Sequence, residues 1–241
     1  MLDTVKDWIQ QAQHIAVLTG AGVSAESGVP TFRDAQTGYW AQFRPEDMAT
    51  EAGFRAHPQR VWDWYQYRRG LLADVVPNAG HHALARFAQQ HPGRLTLITQ
   101  NVDGLHQRAG SPGVLCLHGD IASNRWLDTP RPCCHLDHAV AGHPPHCDRC
   151  GNLVRPGVVW FGEALPWATL QAAENAARQC DLMLVVGTAG AVYPAAGLAH
   201  QARAAGAQVV VLNTAPSALD DTAHALLRGT AASLLPQLLG C

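Results

Sequence analysis

The stretch His14–Asp34, HIAVLTGAGVSAESGVPTFRD, decides the fold. Ile15–Leu18 is an apolar run with the length and β-branched content of a buried parallel strand. Gly20 and Gly22 follow at once, and Ala25 comes three residues on. That is the G-x-G-x-x-G/A turn of a dinucleotide-binding βα unit, where small residues let the backbone approach a pyrophosphate at a helix N-terminus. Glycines at this place also serve simply as tight-turn residues, so the spacing alone leaves both readings open. The continuation departs from a dehydrogenase. Ser27-Gly28-Val29-Pro30 stops the helix after about two turns. The polar loop Thr31-Phe32-Arg33-Asp34 then follows, an aromatic and a guanidinium placed to close over a cofactor.

At 241 residues the chain is long enough for one large domain, or a large part and a small one. A net charge of −2 argues against a dedicated nucleic-acid binder. No apolar run approaches a membrane span. Met1–Gln13 reads as an amphipathic helix with early acids, not a signal or transit peptide. The cysteines number seven and include an adjacent pair and a C-x-x-C, which suits a reducing, cytoplasmic setting better than a disulfide framework.

Outward from the first stretch, helices are expected at Pro45–Phe54, Gln59–Leu72 and Asn78–Gln90, the last capped by Asn78. Strands are expected at Leu95–Thr99 and Val114–Leu117. Residues 121–152 lose periodicity and are rich in Pro, His and Cys, as in a small insertion held by a metal or by its neighbours. Order returns with strand Val154–Trp160, helix Trp167–Arg178, strand Leu182–Val186, helix Gly197–Ala205, strand Gln208–Leu212 and helix Ala231–Leu239. Alternating strands and helices predict an α/β, Rossmann-like, doubly wound parallel sheet with a small helical module and a small zinc-ribbon-like insertion. The whole chain reads as one catalytic domain. Its large part is 1–38, 75–120 and 153–241, and its small part 39–74 and 121–152.

Several residues carry chemistry by type and place. Gln100, Asn101 and Asp103 sit at the C-terminal end of a strand, where ligands bind in such sheets, although Asn and Asp there also cap a following helix. His118 follows another strand, with Gly119 opening space beside it; histidine is the usual general base near neutrality. Tyr65 and Arg68 stand at i and i+3, hence on one helix face. A phenol beside a guanidinium is a carboxylate receptor, or else an ordinary amphipathic face with a half-buried Tyr and a solvated Arg. Cys147-Asp148-Arg149-Cys150 is a zinc-knuckle half. The nearest other cysteines, Cys133 and Cys134, are adjacent, a spacing that rarely supplies two ligands to one ion. That leaves zinc on Cys147, Cys150, one of Cys133 and Cys134 and a nearby histidine, or a module held by packing alone.

These motifs, with TQNVDGLHQRAG at Thr99–Gly110, LHGD at Leu117–Asp120, VVWFGE at Val158–Glu163 and VVGT at Val185–Thr188, together resemble the sirtuins, the NAD-dependent protein lysine deacylases. The matches keep the family's order across nearly the whole chain. The resemblance implies NAD as cofactor, held by Gly20, Ala21, Gly22, Ala25, Glu26, Thr31, Phe32, Arg33, Tyr39, Gln100, Asn101, Val102, Asp103, Gly187, Thr188, Ala189, Asn213, Thr214 and Ala231. It implies His118 as catalytic base, with Asn101 and Asp103 in the nicotinamide pocket. It implies release of nicotinamide and O-acyl-ADP-ribose. Acyl-lysine proteins would bind as extended peptides against Val159, Phe161, Gly162 and Glu163, with no nucleic acid and no membrane involved. Tyr65 and Arg68, with GYW at Gly38–Trp40, resemble the subgroup that removes succinyl, malonyl and glutaryl groups as well as acetyl. The family's zinc corresponds to Cys133, Cys134, Cys147 and Cys150, with the first pair departing from its C-x-x-C. The serine expected after Gly187-Thr188 is also replaced, by Ala189 and Gly190. Two other outcomes fit the same scaffold: a mono-ADP-ribosyltransferase, and a non-catalytic NAD-binding module.

Overall fold

The structure, a computed structural model, describes residues 1–29 and 42–240, apart from the side chains of Pro45 and Glu46. In chain order it runs α1 (Leu2–Gln11), β1 (Ile15–Thr19), α2 (Pro45–Met48), α3 (Glu51–Ala56), α4 (Pro58–Ala73), α5 (Ala79–Gln90), β2 (Leu95–Thr99), α6 (Leu105–Arg108) and β3 (Leu115–Cys116). It continues with β4 (Gly119–Trp126), β5 (Val154–Val158), α7 (Trp167–Gln179), β6 (Leu182–Val186), α8 (Gly197–Ala204), β7 (Gln208–Asn213), β8 (Ala225–Arg228) and α9 (Ala231–Leu239). Two compact units result: Met1–Val29 with Val75–Leu117 and Leu165–Cys241, and Pro30–Asp74 with His118–Ala164.

The first unit is the doubly wound sheet. Its strands lie in the order β3-β2-β1-β6-β7-β8, all parallel. β1 pairs with β2 on one side and β6 on the other, so the order reverses there, and the C-terminal ends of those strands flank the crevice where such sheets bind ligands. Every residue of β1 and β6 is buried. The period of two divides them between two cores. Val17, Leu97, Leu184, Val210 and Leu212 face α1, α5 and α9 through Val5, Ile9, Leu84, Phe87 and Leu235. Leu18, Ile98, Met183, Val185, Val209 and Val211 face α7 and α8 through Ala173, Ala177, Leu198 and Ala202. Small residues on α7 and α8 let those helices lie close to the sheet. Truncating a fully buried side chain such as Leu18 to Ala in such a layer costs about 2–5 kcal/mol.

The second unit packs α2, α3 and α4 with the two-stranded antiparallel sheet β4-β5. Its largest buried side chains are aromatic, Phe54, Trp62, Trp64, Tyr65 and Trp160, with one arginine, Arg155, among them.

The expected strands and helices of the sheet are present within a residue or two. The stretch expected to be aperiodic in fact begins as β4. That strand escapes the pattern because only Ile121 along it is buried, which leaves no alternation to read. β5 pairs with β4 in the second unit, where the sequence placed it with the large part. β8 was not expected. The helix anticipated after Gly22 is instead two single 3₁₀ turns, Ala21–Val23 and Ala25–Ser27, and Pro45–Phe54 breaks into α2 and α3.

Candidate active site

The glycines of the first loop are explained by the loop beside them. A Cβ on Gly22 would lie 2.7 Å from the Cα of Gly187, and one on Gly20 would lie 2.7 Å from the Cβ of Thr188. Gly187 itself adopts φ +62°, which favours glycine. The Gly20 N–H donates to the Val186 carbonyl at 3.0 Å and the Gly22 N–H to the Gly187 carbonyl at 2.8 Å. The loops after β1 and β6 therefore lie backbone against backbone at the reversal point of the sheet. Thr188 is fixed from three sides: its hydroxyl accepts from the Gln100 amide at 3.2 Å and the Gly190 N–H at 3.2 Å, and its carbonyl accepts from the Asn213 amide at 3.1 Å. A side chain at Gly190 would meet Leu219 Cγ at 2.7 Å, so a serine there is excluded sterically, whereas Ala189 is exposed and has room for one.

The residues after β2 meet the first loop through Ser24. The Ser24 hydroxyl donates to Asp103 Oδ2 at 2.7 Å and accepts from the Asn101 amide at 3.2 Å. His81 Nε2 lies 3.3 Å from the same hydroxyl. Asp103 Oδ1 accepts from the Leu105 N–H at 2.9 Å and so starts α6. Both readings of Asp103 hold at once, one oxygen to the turn and one to the cluster. Ser24 and His81 were not singled out in the sequence. A signal for His81 existed: Asn78 caps α5, accepting from the Gly80 N–H, and its own N–H donates to His81 Nδ1, a capping box with His in the place of Glu or Gln. Burial pulls His81 down to about 4 against the opposing pull of Asp103, and His106 down to about 3. Both rings are neutral at pH 7, and their centroids lie 4.8 Å apart. Glu26 turns away, its carboxylate accepting from the Ala232 N–H in the first turn of α9, just past the buried Ala231. Ala21, Ala25 and Thr214 are exposed and Val102 is half-buried. Thr31, Phe32, Arg33 and Tyr39 lie outside the described residues.

In the second unit His118 is half-buried, and its carbonyl accepts from the Val159 N–H at 2.8 Å. The main-chain donors of Val159, Trp160, Phe161 and Glu163 all go to acceptors within the unit. Any peptide pairing along this segment therefore rests chiefly on its carbonyl oxygens. The Glu163 carboxylate is engaged: it pairs with buried Arg155 and, at 2.8 Å, with Arg125. Burial works against its charge, yet the Arg155 ion pair and the Trp160 N–H hold the carboxyl below its usual value. Tyr65 is 2% exposed, more buried than an amphipathic helix face implies. The Arg68 guanidinium lies 4.9 Å from the Trp64 ring and 5.6 Å from the Tyr65 ring, so the i, i+3 pair does share a face. Burial pushes the Tyr65 phenol up, and it keeps its proton at neutral pH.

Cys133, Cys134, Cys147 and Cys150 bring their sulfurs within 4.8 Å of one another. Tetrahedral zinc–thiolate bonds of about 2.3 Å set sulfurs ~3.8 Å apart, so the cluster fits a Cys₄ site with a small contraction. The four cysteines named by the resemblance come together as one group, and the alternative that leaves one of the adjacent pair out is corrected. The turn closed by the Cys134 N–H to the Arg131 carbonyl, at 2.8 Å, presents both sulfurs to the knuckle. No histidine is needed to complete the set. The N–H groups of Cys150 and Arg149 draw the Cys147 thiol down to about 7, which favours the thiolate that a metal requires.

Residues 20–194, most of the chain, match the Sir2 family. The chain belongs to the Sir2 family. A relative from Ralstonia nicotianae named NAD-dependent protein deacylase is 56% identical over 232 residues, covering 96% of this chain and 93% of its own. A solved Sir2 homolog–NAD complex is 37% identical with a TM-score of 0.87, covering 99% of this chain and 92% of that one. The structure of Sir2Tm bound to a propionylated peptide is 28% identical with a TM-score of 0.85, covering 99% and 97%. The parallel six-stranded sheet described above thus matches the solved Sir2 structures. Among the described residues no helix is long and apolar enough to cross a membrane.

Proposed function

We propose that this Sir2 protein removes acetyl and acidic acyl groups, succinyl and malonyl, from lysine side chains of proteins. Family membership and curated relatives named NAD-dependent protein deacylase make NAD-dependent protein deacylation its activity. The acidic-acyl preference rests on one observation, the Arg68 guanidinium stacked beside the neutral, buried phenol of Tyr65. A fixed cation next to a hydroxyl donor recognises a carboxylate through charge-assisted hydrogen bonds.

The residues present fit NAD. The interlocked glycines leave backbone, not side chains, lining the reversal point of the sheet, and the amides of Gln100, Asn101 and Asn213 gather at its rim. Bound NAD would supply an electrophilic anomeric carbon, with nicotinamide as its leaving group, to the acyl oxygen. Asn101 and Asp103, held by Ser24, bind the carboxamide; neutral His81 keeps Ser24 in place without adding a charge. Gln100, Thr188 and Asn213 hold ribose hydroxyls or phosphate. His118 removes a proton from a ribose hydroxyl. The segment of Val159, Phe161 and Gly162 accepts main-chain hydrogen bonds from the extended substrate, in keeping with the propionylated peptide held by Sir2Tm. Arg68 and Tyr65 hold the distal carboxylate of a succinyl chain. Zinc on Cys133, Cys134, Cys147 and Cys150 supplies a structural crosslink and no chemistry.

The test is mass spectrometry of matched acetyl-lysine and succinyl-lysine peptides incubated with the protein, with and without NAD. NAD-dependent loss of both groups with formation of O-acyl-ADP-ribose is the expected result. Loss of acetyl alone would return Tyr65 and Arg68 to a packing role. ADP-ribose remaining on protein would point to a transferase.

A further inference from the structure

The phenol of Tyr65 does not stand alone. The indole N–H of Trp160 donates to its oxygen at 2.9 Å. A hydroxyl has one proton to give and can accept twice, so accepting from Trp160 leaves the proton of Tyr65 to donate elsewhere. Among the described residues no acceptor for that proton is present. A buried donor without an acceptor is costly, and so is a strong driver for whatever ligand supplies one.

Trp160 is itself held so that its N–H points nowhere else. The Arg155 guanidinium, 1% exposed, covers the Trp160 ring 3.3 Å from its centroid. Arg155 also pairs with Glu163 and donates to the Val158 carbonyl at 2.9 Å. Glu163 accepts from the Trp160 main-chain N–H at 2.8 Å, and Phe54 packs on the indole with centroids 5.2 Å apart. Trp64 meets Tyr65 edge-on at 4.8 Å, which fixes the phenol ring from another side. The ion pair, the indole and the phenol form one chain of restraint that ends at a single unused proton beside Arg68.

We propose that Trp160 is the positioning residue for acidic-acyl recognition: by donating to the Tyr65 oxygen it commits the phenol proton to the distal carboxylate of the acyl chain. This rests on the acidic-acyl reading above. An acetyl group has no such carboxylate and gains nothing from the arrangement.

The experiment is steady-state kinetics on matched succinyl-lysine and acetyl-lysine peptides with the full chain, for wild type, Trp160→Phe, Tyr65→Phe and the double variant. Phenylalanine keeps an aromatic ring for Arg155 to cover and removes the N–H together with part of the indole; any packing loss weighs on both peptides alike, and the succinyl-to-acetyl ratio cancels it. The ratio of succinyl KM to acetyl KM is expected to rise about tenfold in Trp160→Phe, the worth of one charge-assisted hydrogen bond, with kcat for the succinyl peptide little moved. Because Trp160 acts through Tyr65, the double variant should match Tyr65→Phe alone. An unchanged ratio in Trp160→Phe, or additive effects in the double variant, overturns the proposal. So does a wild-type ratio in Tyr65→Phe, which decides the matter even where Trp160→Phe fails to fold. Should wild type leave succinyl-lysine untouched, the acidic-acyl reading falls and this inference with it. Should wild type cleave it and Arg68→Met discriminate while Trp160→Phe does not, only this inference falls.

Discussion

The hydroxyl of Ser24 is the hinge between Asp103 and Asn101, donating to the first at 2.7 Å and accepting from the second at 3.2 Å. Ser24, 79 positions before Asp103 in the chain, thereby holds the polar groups of Asp103 and Asn101 as a set. Removing the hydroxyl leaves a carboxylate oxygen and an amide without their partner. For Ser24→Ala we expect kcat/KM for NAD to fall at least about tenfold, from a loss of 1–3 kcal/mol. Nicotinamide release measured against NAD concentration checks this, and wild-type kcat/KM would show that Asn101 and Asp103 hold their places unaided.

Arg68→Met keeps much of the aliphatic stem and removes the charge that lies 4.9 Å from the Trp64 ring. Succinyl-lysine turnover should fall about 100-fold or more while acetyl-lysine turnover falls far less. Competition between the two peptides in one reaction reads the ratio directly. Equal losses would assign Arg68 to helix packing.

The chain should bind one zinc ion. Metal analysis of the purified protein should give one equivalent, reduced to well below half in Cys134→Ser as in Cys150→Ser, with the melting temperature lowered by roughly 10 °C. Full zinc content in Cys134→Ser would restore the reading in which one of the adjacent cysteines stands aside.

His81 makes stability depend on pH. Its pKa is about 4 in the folded chain and 6.5 when unfolded, so the unfolded chain binds the extra proton first. Stability from this group is complete above pH 6.5, declines as pH drops through the window, and levels off below about 4. The loss should be about 1–2 kcal/mol by pH 5. Thermal melts of His81→Asn should show a shallower fall between pH 7 and 5 than wild type; parallel curves would mean that His81 opens to solvent before the chain unfolds.

Ala189→Ser restores the hydroxyl missing beside Thr188 at an exposed position with room for it. KM for NAD should drop about 2–10-fold, the worth of one hydrogen bond. An unchanged KM, measured with saturating acetyl peptide, would mean that water already fills the role.

The sheet was legible because its strands are continuous apolar runs, Ile15–Leu18 and Leu182–Val186 above all, and burial on both faces leaves no competing pattern. The site was legible where strand ends carry unusual polar runs, as at Gln100–Asp103. It was not legible where the contact is long-range. Ser24 looks like filler in a glycine turn until Asp103 is brought to it, and His81 is one histidine among 13. β4 hid because only one of its side chains, Ile121, is buried. The cysteine pair misled because ligand spacing is read along an extended chain, whereas the turn at Arg131–Cys134 folds both sulfurs inward.

The interlock of Gly20 and Gly22 with Gly187 bears on how such a signature is to be used. A library randomised at these three codons and selected only for soluble expression should already return glycine, since any added methyl strikes the facing main chain. Invariance at these sites would thus survive the loss of catalysis. A decayed homologue that no longer turns over substrate would still display the motif, and diagnostic weight in sorting living enzymes from relics belongs with the polar side chains proposed for the chemistry, Asn101, Asp103 and His118.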